Sequence, residues 1–161
     1  MRATVLLLLF GGALLYGCEK DPQITQPIQF SHRAHTEKGL SCDLCHESIE
    51  KAASAGLPTI ETCMTCHQAA MSDSPEEAKV RQYGEQEQEI PWRRLFELPA
   101  NVYFSHRRHV AFGGVACAEC HGNMGESDAP SVRPAVALSM GTCMGCHAER
   151  NASGDCNACH R

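Results

Sequence analysis

Hydrophobic positions are unevenly spread along this chain. Residues 3–15 form an apolar run of 13 behind Met1-Arg2, too short to cross a bilayer comfortably and built like the core of an export signal. Residues 19–27 turn polar, with Pro22 and Pro27, and read as a tether. Beyond them, no alternation of apolar and polar residues runs long enough to predict a strand. The helical signals are short. Residues 48–55 predict a brief helix that ends at Gly56, with Pro58 preventing continuation. Ser74-Pro75-Glu76-Glu77 is a capping-box pattern with proline at the first helical position. It predicts a mostly polar helix running to Tyr83 or Glu89 that separates two halves of the chain. Residues 90–99 are bounded by prolines and hold Trp92, Leu95 and Phe96, expected to pack internally or between those halves. Gly113-Gly114 and residues 122–134, with Gly125, Pro130 and Pro134, predict loops. The expected fold class is therefore mostly α with extensive loops and little regular secondary structure.

A repeat runs through this sparse framework. Phe30-Ser31-His32-Arg33-Ala34-His35 is followed by Cys42-Asp43-Leu44-Cys45-His46 and by Thr62-Cys63-Met64-Thr65-Cys66-His67. The second copy reads Phe104-Ser105-His106-Arg107-Arg108-His109, then Cys117-Ala118-Glu119-Cys120-His121, then Thr142-Cys143-Met144-Gly145-Cys146-His147. A fifth segment, Cys156-Asn157-Ala158-Cys159-His160, closes the chain. The span between the two cysteine segments is five residues longer in the second copy, an insertion that costs least in a loop. The implied organisation is a signal at 1–17, a tether at 18–27, a first unit at 28–70, a helical linker at 71–100, and a second unit with the fifth site at 101–161.

C-x-x-C-H is the attachment pattern of c-type haem. Two intervening residues let one turn of backbone present both sulfurs to a porphyrin edge, while the following imidazole reaches the iron. A thioredoxin-like pair or a zinc site would also use C-x-x-C, but neither requires a histidine after every pair. With 9 histidines in 161 residues, five such placements in succession arise by chance about once in a million. Five covalent haems are expected, on Cys42 and Cys45, Cys63 and Cys66, Cys117 and Cys120, Cys143 and Cys146, and Cys156 and Cys159, with His46, His67, His121, His147 and His160 as proximal ligands.

Four histidines remain, His32, His35, His106 and His109. Residues three apart share a helix face, so each H-x-x-H pair can offer imidazoles to two neighbouring irons. Which histidine serves which iron is not written in the spacing. One iron of five lacks a histidine partner. Met140 is the first candidate for its sixth ligand, since the first unit has Ile60 at the aligned position, and Met124 is the second. Met64 and Met144 lie inside C-x-x-C loops and are poorly placed. Thioether ligation would put that haem at the high-potential end of the set.

Composition agrees with a cofactor-filled interior. Aromatics are 6% of the chain, and much of its 43% apolar content lies in the first 17 residues. Of eleven cysteines, only Cys18 falls outside the five pairs. Leu15-Tyr16-Gly17-Cys18 resembles the bacterial lipobox, so Cys18 is expected to be lipidated and to hold the protein at a membrane surface on the periplasmic side. The net charge of −5 makes nucleic acid an unsuitable partner and favours a cationic patch on a partner protein.

The F-S-H-x-x-H unit with its C-x-x-C-H sites resembles the class III trihaem and tetrahaem cytochromes c. Residues 27–161 are similar to one branch, the pentahaem cytochrome subunit of alternative complex III and of menaquinone reductase complexes. That likeness is carried by Pro27-Ile28-Gln29-Phe30-Ser31-His32, Ile90-Pro91-Trp92, residues 98–106, and Leu138-Ser139-Met140-Gly141-Thr142-Cys143. Those subunits commonly carry a longer N-terminal membrane helix, where this chain has its lipobox. The resemblance implies electron transfer with a quinone-linked membrane complex containing an iron-sulfur subunit, and a role as carrier rather than enzyme. The competing expectation is a multihaem reductase acting at one five-coordinate haem, kept open by the missing fifth distal histidine.

Overall fold

A computed structural model describes residues 23–160. The apolar run, the lipobox with Cys18, and the start of the tether lie outside the described residues. Within them the chain is short helices joined by turns: α1 His32–Thr36, α2 Cys42–Cys45, α3 Ile60–Met64, α4 Pro75–Glu85, a π-helical turn at Arg108–Phe112, α5 Ala118–His121, a 3-10 turn at Met124–Glu126, α6 Met140–Glu149 and α7 Cys156–Cys159. Extended pairing among the described residues is a single antiparallel bridge between Val102 and His160. None of the helices described is long and apolar enough to cross a membrane.

The apolar core is correspondingly small. Ile28, Ile60, Val80 and Ile90 are its buried members, with Cys63, Met64, Tyr83 and Trp92 packed against it. Among the described residues no large side chain is fully buried. All of this core belongs to the first unit and to the segment that follows it. Helix α4 begins at Pro75 behind Ser74, whose hydroxyl accepts from the Glu76 N–H, and it ends at Glu85. It lies against α3 through Val80. Glu76 accepts from the Gln29 N–H at 2.7 Å, and Glu89 caps the start of α3 by accepting from the Ile60 N–H at 3.0 Å. The polar helix thus leans on the first unit rather than standing between the two.

Glu77 departs from its capping-box part. Instead of reaching back to its own helix N-terminus, its buried carboxylate accepts from the Met71 N–H at 2.7 Å, the Ser72 hydroxyl at 2.5 Å and Arg81 Nη1 at 2.8 Å. It also faces His67 Nδ1 at 3.4 Å.

The helix expected at 48–55 is absent. Only one turn forms there, with the Ala52 N–H bonded to Ser48 O at 2.9 Å, and the segment then closes through Ser48 N–H to Ala55 O at 3.3 Å. The reason is tertiary. Ala52 O and Ala53 O accept from the Arg107 and His106 N–H groups at 3.0 and 2.9 Å, so carbonyls a helix would need internally cap the second unit's histidine helix. The favour is returned: the Arg33 N–H of α1 bonds Ser127 O at 3.0 Å, and the Thr36 hydroxyl bonds Gly125 O at 2.7 Å. Each unit's inter-site loop clasps the other unit's H-x-x-H helix.

Both histidine helices end in a left-handed glycine, Gly39 at φ 79° and Gly114 at φ 60°, where a side chain would be strained. The second helix holds one more residue before that glycine, and the Gly113 N–H to Arg108 O bond of 3.0 Å marks where a π turn absorbs it.

Replacing Ile90, 5% exposed, with alanine should lower the unfolding free energy of the haem-loaded protein by about 2–5 kcal/mol, read from a denaturant midpoint. Glu77 offers a pH signature. Its carboxyl is drawn from 4.5 to about 2, chiefly by the Ser72 hydroxyl and then by the Met71 N–H, with His67 contributing. The unfolded chain therefore takes up the proton more readily. Glu77's stabilisation is complete above its unfolded value and is lost as pH falls through the folded one. The stability gap between wild type and Glu77→Gln should narrow over that acid window.

Candidate multihaem site

The F-S-H-x-x-H segment folds as one small machine, twice. Ser31 caps α1 by accepting from the Ala34 N–H at 3.1 Å, and its carbonyl holds His35 Nδ1 at 2.8 Å. Ser105 does the same for the second unit, with the Arg108 N–H at 3.4 Å and His109 Nδ1 at 2.8 Å. Phe30 stacks on His35 with centroids 4.4 Å apart and planes at 25°, while its edge meets His32 at 4.8 Å and 86°. Phe104 stacks on His109 at 4.4 Å and 23°, and meets His106 at 4.9 Å and 88°. One aromatic ring therefore fixes two imidazoles roughly at right angles, and the serine fixes the ring rotation of the second. With Nδ1 engaged, Nε2 is the nitrogen left for a metal.

The histidines of the C-x-x-C-H segments come to meet them. His35 and His67 have ring centroids 6.1 Å apart, as do His109 and His147. His106 and His121 lie 6.3 Å apart and nearly parallel, at 11°. Two imidazoles on opposite sides of one metal, each with a metal–nitrogen distance of about 2 Å, have centroids about 6.3 Å apart. Such separations match two imidazoles sharing one iron. His32 lies half-buried beside His46 and His35, and burial first, then these neighbours, hold its pKa below the ordinary value. His121 is held low by burial first, then by His106 and His46. Both shifts favour the neutral imidazole, the form that binds metal.

Second contacts orient the proximal rings. His46 Nδ1 lies 2.9 Å from Gly56 O, and His147 Nδ1 lies 2.6 Å from Ser153 O. On the distal side, His106 Nδ1 lies 3.0 Å from Ala53 O, part of the clasp between units. Such partners fix tautomer and orientation in metal sites. The donor set, imidazoles facing one another across an iron-sized gap with paired thiols in the adjoining segments, fits c-type haem.

The cysteines occupy short helices or turns, α2, α3, α5, α6 and α7, beside these rings. Their neighbours show which segments adjoin. The Cys42 thiol is pushed up by burial and then by Cys117, which lies within hydrogen-bonding reach. Cys63 is raised by burial and then by Cys45. Cys120 is raised by burial and then by Cys146. Numbered along the chain, the segments thus adjoin in the order second, first, third, fourth. The fifth joins through the Tyr103 N–H to Cys159 O bond of 2.6 Å and the Val102–His160 bridge, and Met144 touches Gly154 just ahead of it.

Met140 opens α6 and is 66% exposed. Met124 lies in the 3-10 turn, where its sulfur accepts from the Ser131 hydroxyl at 3.7 Å. Phe96 edges onto His121 at 4.6 Å, and Trp92 edges onto Phe30 at 6.3 Å. The proline-bounded segment thus supports a ring in each unit, as its apolar residues suggest. Residues that sequence reasoning did not assign to the site are Glu77, read as a helix cap, and Ala53 and Gly56, whose backbone carbonyls carry no sequence signal.

Comparison with known proteins agrees with this arrangement. Residues 17–90 match the model of the class III cytochrome c family, and residues 102–161 match that of cytochrome c7 and related cytochromes c. The chain is also 30% identical over 179 residues to the menaquinone reductase multiheme cytochrome c subunit of Nitratidesulfovibrio vulgaris (strain Hildenborough), covering 92% of this chain and 85% of that one. With imidazoles paired at iron-spanning distance at His67, His121 and His147, and with both family models matched, the chain belongs to the multihaem c-type cytochromes, in the family of that reductase subunit.

Proposed function

We propose that this protein is a pentahaem electron relay, anchored through Cys18 on the periplasmic side of a membrane and working as the cytochrome subunit of a quinone-linked oxidoreductase complex with an iron-sulfur partner. The observation that carries the reading is the set of imidazole pairs 6.1–6.3 Å apart, each joining an H-x-x-H residue to a C-x-x-C-H residue. The pairs are His35 with His67, His106 with His121, and His109 with His147, leaving His32 for His46. When bound, haem supplies one-electron exchange at iron.

The chain's own residues do the rest. Two imidazoles on one iron leave no open position for substrate, so the ligand pairs favour outer-sphere transfer over catalysis. The short helices bring attachment segments side by side, through Cys63 and Cys45, Cys42 and Cys117, and Cys120 and Cys146. That adjacency supports a single row, with the second site at one end and the fourth and fifth at the other. Its ends are the natural places for donor and acceptor. The relative's name links it to menaquinone reductase, which supports a quinone-linked partner here. The export signal and lipobox support the membrane surface, and Met140 is assigned to the iron at His160.

Low-temperature electron paramagnetic resonance of the oxidised protein tests the ligand sets. Low-spin signals from the histidine-paired irons are expected, and an axial high-spin signal from one iron in five would favour the reductase alternative. His109→Ala should turn one low-spin iron high-spin while leaving covalent attachment intact; an unchanged spectrum removes His109 from the ligands. Met140→His should lower the highest midpoint potential of the set, and a titration in which that potential stays put removes the methionine.

A further inference from the structure

Five imidazoles of the site turn Nδ1 to a backbone carbonyl: His35 to Ser31, His46 to Gly56, His106 to Ala53, His109 to Ser105 and His147 to Ser153, at 2.6 to 3.0 Å. His67 differs. Its Nδ1 is buried without a conventional hydrogen bond, and the atom it faces is Glu77 Oε1 at 3.4 Å. His147, at the same place in the repeat, has the Ser153 carbonyl at 2.6 Å. Nδ1 of His32 is also buried without a partner, but of these rings His67 is the one that faces a carboxylate.

The carboxylate is well held. Its side chain is 6% exposed, and Met71 N–H, the Ser72 hydroxyl and Arg81 fix it from other sides. A carboxylate polarises a ring N–H more strongly than a neutral carbonyl does. The polarised ring gains imidazolate character, and its Nε2 becomes the stronger donor. Stronger donation and nearby negative charge both favour ferric over ferrous iron. Arg81 shares Oε1 with His67, at 2.8 Å, and offsets part of that charge.

We propose that Glu77 is a positioning residue for His67, and that through this contact it sets the site of Cys63 and Cys66 at the low-potential end of the histidine-ligated set. The proposal rests on the ligand assignment above. It places the most reducing site at one end of the row, beside α4, where an electron would enter or leave at highest driving force.

Spectroelectrochemical titration of the fully loaded protein tests it, with the couple of this site identified as the one altered in His35→Ala. In Glu77→Gln that midpoint should rise, by about tenfold in the reduction equilibrium, which is about 59 mV for one electron, while the other four hold. Glu77→Asp should restore part of the shift. Arg81→Gln frees the carboxylate and should move the same couple downward, a sign that loss of structure would not reverse. In the ferrous His35→Ala protein, adding Glu77→Gln should lower the iron–imidazole stretching frequency seen by resonance Raman. An unmoved couple with haem in place overturns the proposal alone, as does a common shift of all couples or an upward shift in Arg81→Gln. Absence of haem from Cys63 and Cys66 in the unsubstituted protein overturns the ligand reading beneath it as well.

Discussion

Two imidazoles held about 6 Å apart are the constraint on which this structure turns. Neither ring touches the other, and neither gains from facing its partner unless a metal lies between. A haem iron held between them would join parts of the chain remote in sequence. Four buried apolar residues among those described would be a meagre core, since small domains that cannot bury enough surface depend on metals or cross-links. The ligand pairs supply the long-range connections that side-chain packing elsewhere provides.

The second level of organisation is the exchange between units. Residues 52–53 cap the second histidine helix, and residues 125–127 receive α1. Because His106 Nδ1 shares Ala53 O with the His106 N–H, the same carbonyl that joins the units orients a distal ligand. Unit assembly and ligand geometry are thereby linked. His32 lacks the counterpart, since its Nδ1 is buried without a partner. Together with Glu77 beside His67, this makes the first unit's sites electrostatically unlike the second's despite the shared motif. Duplicated motifs with differing second contacts are a direct route to a graded set of potentials.

Much of this was legible from residue spacing because haem attachment and distal ligation use fixed, local patterns. The C-x-x-C-H segments and H-x-x-H pairs fall on short helices or turns as expected. The scarcity of regular structure followed from the absence of strand alternation and the frequency of glycine and proline. The helix expected at 48–55 failed because its carbonyls are claimed from outside, by Arg107 and His106, and local propensity cannot register a distant donor. Glu77 was misread for a related reason: its position fits a capping box, but its carboxylate turns outward to Ser72, Met71 and His67. The approach of His35 to His67 and of His109 to His147 needed coordinates, since the spacing of the H-x-x-H pairs does not say which C-x-x-C-H ring each one faces.

What most directly tests the account is the intact mass of the protein matured in a host competent for haem attachment, measured after denaturation so that only covalent groups remain. The expected mass is that of the processed, lipidated chain plus five haems, one for each of the five cysteine pairs. A mass matching the bare chain would contradict it outright, and a deficit of even one haem would break the set of ligand pairs from which the fold and the relay have been built.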